Sequence, residues 1–178
     1  MALTATVYNF DIDLADADRA VYESLALRVA RHPSESDEYL IVRVLAYALE
    51  FVAGIAFSAG LSAPDEQAIA VRDLTGAIRS WIEIGTPSAD RLHKASKASQ
   101  RVAVYVHRDV AQFLKRLANE RIHRAESIDV WSVERALVSA LVHRLERRMA
   151  FGLSVAEHEL FVSIGSEPLT GVVTRHSL

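Results

Sequence analysis

Ala77-Ile-Arg-Ser-Trp81-Ile-Glu83-Ile-Gly85, continued by Thr86-Pro87 and later by Val102-Ala-Val-Tyr-Val106, is the stretch on which the fold turns. The first run is apolar enough for a buried strand and carries one carboxylate, Glu83. Thr86-Pro87 is a good helix entry, with the hydroxyl as N-cap and proline at the first helical position, where its missing N–H is no loss. That helix is expected to run to about Gln100 and bears Lys94 and Lys97. Residues 102–106 form a second compact apolar strand. Strand, helix and strand in this order make a βαβ unit, for which a right-handed parallel crossover is the expected geometry.

The pattern extends outward from this unit in both directions. Asp73-Leu-Thr-Gly76 reads as the turn feeding the strand 77–84, and Pro64-Asp65-Glu66 opens a short helical or irregular stretch. His32-Pro33-Ser34-Glu35 stops one element and starts another: Ser34 is suited to N-cap a helix whose first turn holds Glu35, Asp37 and Glu38, all favourable to its dipole. The apolar stripe Leu40, Val42, Leu45, Ala46, Ala48, Leu49, Val52 then predicts a long buried helix, and Gly54 and Gly60 bracket a short strand, Ile55 to Ser58. Alternation over Ala5 to Leu14 predicts a strand, and Val21 to Ala30, whose alanines and leucines leave helix open, is read as a second strand making a hairpin with it. Downstream, a helix is expected from Val110 to about Glu120, a strand over Ile128 to Val133 and a helix from Glu134 to Arg148. Three closing strands, Met149 to Val155, Leu160 to Ile164 and Val172 to Thr174, are joined by turns at Glu157 and Gly165-Ser-Glu-Pro168. The expected fold is α/β: a mixed sheet with flanking helices in one domain over 1–178.

The 178 residues suffice for a real core without disulfides or structural metal. No cysteine is present, which removes thiolate zinc sites and thiol catalysis and suits a reducing, cytoplasmic setting. The start has no signal-peptide pattern, and no apolar run approaches the roughly 20 residues of a membrane span. Net charge is only −3, but it is unevenly spread. Residues 1–87 carry 6 Lys/Arg against 13 Asp/Glu, whereas residues 88–148 carry 13 against 7. Acidic metal-binding elements beside a basic phosphate-holding face produce such a split, and so does a solvated helical surface.

No H-E-x-x-H, G-x-G-x-x-G or G-x-x-x-x-G-K-[ST] pattern occurs, and Ser34 and Ser62 lack a nucleophile-elbow context. Carboxylate chemistry remains. Glu83, flanked by Trp81, Ile82 and Ile84, is poorly solvated unless paired or bound to metal. Two acidic side chains converging at a strand end can hold a divalent cation, and a nearby ammonium can steady the attacking water or the developing charge. Asp73, Glu83 and a lysine of the following helix are the candidates. Each also has a plainer role: Asp73 as a turn residue, Glu83 as partner of an arginine such as Arg79, Glu35 and Glu38 as helix-start charges, Lys94 as a solvated cation.

Four segments together resemble the bacterial YaeQ family: Met1-Ala-Leu-Thr-Ala-Thr-Val-Tyr8, Ala30-Arg-His-Pro-Ser-Glu35 before a long helix, Asp73-Leu-Thr-Gly76, and Trp81-Ile-Glu83-Ile-Gly85. The resemblance implies a compact variation of the PD-(D/E)XK nuclease core. It places the superfamily's aspartate on Asp73 and its (D/E) on Glu83. The motif's lysine falls on Gly85, so the ordinary motif is broken and Lys94 is the first choice for a displaced replacement, with Lys97 one turn further along. Glu35 or Glu38 is the additional acidic residue such sites draw from the first helix. The implied cofactor is Mg²⁺, held by Asp73, Glu83, the Ile84 carbonyl and waters. The expected function is a Mg²⁺-dependent nuclease or phosphodiesterase with nucleic acid as its partner. The alternatives are a catalytically inactive nucleic-acid-binding or regulatory protein on a nuclease-like scaffold, and an interaction protein whose polar cluster only staples the core.

Overall fold

A computed structural model describes residues 4–58 and 65–178. Its chain order is β1 (Thr6–Asp16), β2 (Val21–Arg31), α1 (Asp37–Leu49), β3 (Ile55–Phe57), β4 (Ile69–Arg72), β5 (Ile78–Ile84), α2 (Ala89–Ala98), β6 (Arg101–Val106), α3 (Val110–Leu117), β7 (Ile128–Val133), α4 (Arg135–Val142), β8 (Arg148–Ala156), β9 (Glu159–Ile164) and β10 (Glu167–His176). All ten strands join one mixed sheet in the order β2-β1-β8-β9-β10-β7-β6-β5-β4-β3. The expected βαβ unit is present: β5 and β6 pair in parallel, Trp81 opposite Val102 and Glu83 opposite Val104. β7 extends the parallel set.

Period-two alternation assigns the strand residues to two cores. On β5 and β6, Ile82, Ile84, Ala103 and Tyr105 enter the larger core with α1 and α4. Trp81, Val102, Val104 and Val106 enter the smaller one with Leu92 of α2 and Phe113 and Leu117 of α3. The same alternation turns Glu83 toward α2 and His107, just past β6, toward α1 and α4.

Several boundaries depart from the pattern-based expectation. Residues 69–72, expected to be helical or irregular, form β4, an antiparallel neighbour of β3 and β5; so short an apolar run, Ile-Ala-Val, carries no period of its own. The N-cap of α1 is Ser36, which accepts from Tyr39 N, rather than Ser34, so Glu35 precedes the helix. The N-cap of α2 is Ser88 rather than Thr86. α4 ends at Val142, six residues before Arg148. Pro168, expected in a turn, lies inside β10, which pairs with β9 through Val172 and with β7 from Val173. Gly60, Ser62 and Pro64 lie outside the described residues. Among the described residues no helix is long and apolar enough to cross a membrane.

Candidate functional site at the carboxyl end of β5

Glu83 occupies the penultimate position of β5 and is only 4% exposed. Its carboxylate is not left bare. Oε1 accepts from Trp81 Nε1 at 2.5 Å and from Arg91 Nε at 2.8 Å. Trp81 and Glu83 are two apart on a strand and so share its α2-facing side, while Arg91 reaches them from the first turn of α2. The guanidinium also holds the Glu66 carbonyl, and Lys94 Nζ lies 3.1 Å from Asp65 Oδ1. The segment leading into β4 therefore abuts α2 beside Glu83.

Asp73 is elsewhere. It closes the β4–β5 turn: Oδ1 accepts from Thr75 N at 2.9 Å, Thr75 Oγ1 at 2.6 Å and Ala77 N at 3.1 Å, and Oδ2 pairs with Arg79 at 2.9 Å. The Thr75 hydroxyl and the backbone donors hold its pKa below the ordinary 3.8. Because Asp73 N bonds to Ala77 O, Asp73 sits level with the start of the β5 segment, and Glu83 lies six residues further along it. At ~3.3 Å per residue the two carboxyl groups are about 20 Å apart, at opposite ends of the hairpin. The expected convergence of Asp73 and Glu83 does not occur, and one Mg²⁺ held by both does not fit this geometry.

The remaining expected residues also find definite places. Glu35 is buried and faces Arg43, with Oε2 3.3 Å from Nη2, and Arg43 donates to the Ala30 carbonyl at 2.7 Å as well. Burial, opposed by Arg43, raises the Glu35 pKa. Glu35 thus staples α1 to β2 rather than facing Glu83. Glu38 is exposed in the first turn of α1, and Lys97 is exposed near the end of α2. The cation that meets Glu83 is Arg91, not Lys94, Lys97 or Arg79. Sequence reasoning missed it because the helix entry read at Thr86-Pro87 puts Arg91 beyond the first turn, whereas the observed N-cap, Ser88, brings it into that turn.

Gly85 has φ +89, and its N–H bonds to Tyr105 O at 2.9 Å. The position where the resemblance asks for lysine is built in a left-handed conformation that a lysine adopts only under strain.

The molecule is thus a mixed α/β protein with an arginine-paired, buried carboxylate where its parallel strands end. The chain belongs to the YaeQ family, whose "YaeQ protein" profile it matches over residues 1–172. It is 30% identical to YaeQ of Salmonella typhi over 164 residues, 92% of this chain and 91% of that one. It is 28% identical to YaeQ of Escherichia coli K12 over 164 residues, with the same coverage. The fold superposes on the crystal structure of YaeQ from Xanthomonas axonopodis pv. citri with a TM-score of 0.89 and 31% identity, covering 98% of this chain and 99% of that one. For YaeQ from Pseudomonas syringae the TM-score is 0.87 at 29% identity, covering 98% and 97%.

Proposed function

We propose that this chain is a phosphodiester-binding protein on a PD-(D/E)XK-like scaffold that does not hydrolyse what it holds. The observation that carries this reading is the pairing of Glu83 with Arg91 and Trp81, combined with the removal of Asp73 to the far end of the hairpin. A carboxylate already neutralised by a guanidinium is a poor metal ligand, while the lysines of α2 and the basic segment 88–148 supply charge for backbone phosphates. The nuclease-like core itself is supported by the continuous unit from α1 to β6, which contains two of the four segments that carry the resemblance.

One observation favours a second reading, metal-dependent hydrolysis with Asp65 in the role expected of Asp73. Arg91 and Lys94 bind residues 66 and 65, so an acidic segment adjoins the Glu83 end of β5. The two readings separate in one experiment. Labelled single-stranded, duplex and branched DNA and RNA are incubated with the protein in Mg²⁺ or Mn²⁺, with binding and cleavage measured on the same samples. We expect salt-sensitive binding, no cleavage, and weakened binding in Lys94→Ala/Lys97→Ala. Cleavage abolished by Glu83→Ala and Asp65→Ala establishes the second reading instead, and absence of binding at low salt discards both.

A further inference from the structure

On the opposite face of the same sheet end lies a cleft that the Glu83 cluster does not use. A cavity of about 200 Å³ between the N-terminal turns of α1 and α4 is lined by Ser36, Glu38, His107, Arg108, Arg135 and Ser139, with Val138 as its apolar wall. A second cavity, of about 250 Å³, shares Ser36, His107 and Arg108 with it and runs on past Tyr39 to Gly85 and Thr86.

Two features make this a built site rather than a gap between helices. Arg108 and Arg135 come from different elements, both are exposed, and neither has an ion-pair partner among the described residues. Both line the first cavity, so two guanidinium groups from separate elements are available to an anion held there. The second feature is His107. Its side chain is only 8% exposed, neither ring nitrogen has a hydrogen-bond partner, and Nδ1 is sealed from water. The accessible edge of the ring is the one that lines both cavities. The sealed Nδ1 is beyond a ligand's reach, whereas Nε2 meets the cleft with no protein partner, so it is the ring atom open to an incoming acceptor.

The geometry points to a phosphate monoester site in this cleft, with Arg108 and Arg135 as the charged clamps, His107 as the buried donor, and the Ser36 and Ser139 hydroxyls as further donors. The donor types fit a tetrahedral oxyanion: two guanidinium forks, one ring N–H and hydroxyls on separate helices approach from different directions. The N-termini of α1 and α4 add their favourable dipole ends. Glu38 offsets one of the two positive charges, and Glu35, which lines the second cavity, is already paired with Arg43, so the first cavity keeps an excess of positive charge and offers an acceptor beside the anion. Burial, with Arg108 and Arg135 adding to it and Glu38 opposing, lowers the His107 pKa, so the empty site holds a neutral ring. The inference does not rest on the reading of Glu83, which lies across the sheet.

The test is calorimetric titration of the full chain with inorganic phosphate at constant ionic strength, alongside ¹H–¹⁵N NMR of the His107 ring. Sulfate is the anion control, and 5′-phosphorylated and 5′-hydroxyl oligothymidylate form a second pair of ligands. Phosphate is expected to bind at one site and to shift the His107 ring resonances. Arg108→Ala and Arg135→Ala, both at exposed positions and checked for retained fold by circular dichroism, are each expected to weaken binding about tenfold. Arg135→Lys recovers part of the loss, and Lys115→Ala, an exposed cation of α3 that lines neither cavity, leaves phosphate affinity unchanged. Preference for the 5′-phosphorylated oligomer over free phosphate assigns the ligand to nucleic-acid ends; equal affinity assigns it to small phosphates. No shift of His107 at about 10 mM phosphate, or wild-type affinity in both alanine variants, overturns the proposal. Loss of phosphate binding in Arg91→Ala with no effect of the cleft variants places the anion at the Glu83 cluster instead.

Discussion

Asp73 and Glu83 show how one chemical group, the carboxylate, takes different roles through its surroundings. Asp73 sits in a turn where hydroxyl, amide and guanidinium donors all favour the charged carboxyl, so its folded pKa lies below the 3.8 of an unfolded chain. A lowered pKa contributes stability above the unfolded value, and the contribution disappears as pH falls through the folded one. The stability advantage of wild type over Asp73→Asn is therefore expected to be full above about pH 5 and to shrink steadily below 3.8. Urea denaturation across that range checks it. Glu83 is stabilised differently, by a neighbouring indole N–H and one guanidinium in a site closed to water. The burial was apparent from Trp81, Ile82 and Ile84 around it, but the partner was not, since Arg79 is nearer in sequence than Arg91 and yet pairs with Asp73.

At the scale of elements, helix entries decide which side chains reach the sheet end. Ser88, not Thr86, accepts the hydrogen bond from Arg91 N at 3.2 Å, which starts α2 two residues later than Thr86-Pro87 suggests. That shift brings Arg91 into the first turn, directly over Glu83, and moves Lys94 toward Asp65. Ser88→Ala is expected to cost about 1 kcal/mol, whereas Thr86→Ala, which removes no cap, is expected to stay within ~0.5 kcal/mol of wild type. Chemical denaturation distinguishes the two. Both Thr86-Pro87 and Ser88 carry helix-start signals, and local sequence ranks the first higher. The choice of the second comes from the segment 85–88, which turns at Gly85 and must carry the chain from the carboxyl end of β5 to a helix lying across Trp81 and Val104.

Over the whole molecule, β10 is the strand that makes one sheet of two halves, pairing with β9 up to Val172 and with β7 beyond it. At the crossing, Gly171 lets α4 approach: a Cβ there meets Leu137 Cβ at 2.7 Å. Gly171→Ala is expected to destabilise by about 1–3 kcal/mol, because neither the strand nor the helix has room to withdraw. Trp81 in the smaller core and Trp131 against the larger one report on both sides. Their fluorescence and far-UV dichroism are expected to shift together in the variant, with one transition. Separate transitions would show that the halves unfold independently of β10.

The sequence by itself determined the mixed α/β class, the hairpin β1–β2, the long buried helix α1, the β5–α2–β6 unit and the burial of Glu83. Periodicity, caps and apolar runs are properties of neighbouring residues, and they survive without knowledge of the rest of the chain. Only the tertiary structure decided which charges meet. The antiparallel register of β4 and β5 sends Asp73 away from Glu83, the parallel crossover lays Arg91 over it, and the positive φ of Gly85 leaves no relaxed place for a lysine. His107, Arg108 and Arg135 come together in the same way, from the ends of two strands and the starts of two helices. Electrostatic pairing falls off over a few ångströms, while strand register and crossover set positions over tens of residues. The chemistry of the sheet end therefore follows from long-range placement that no local pattern encodes.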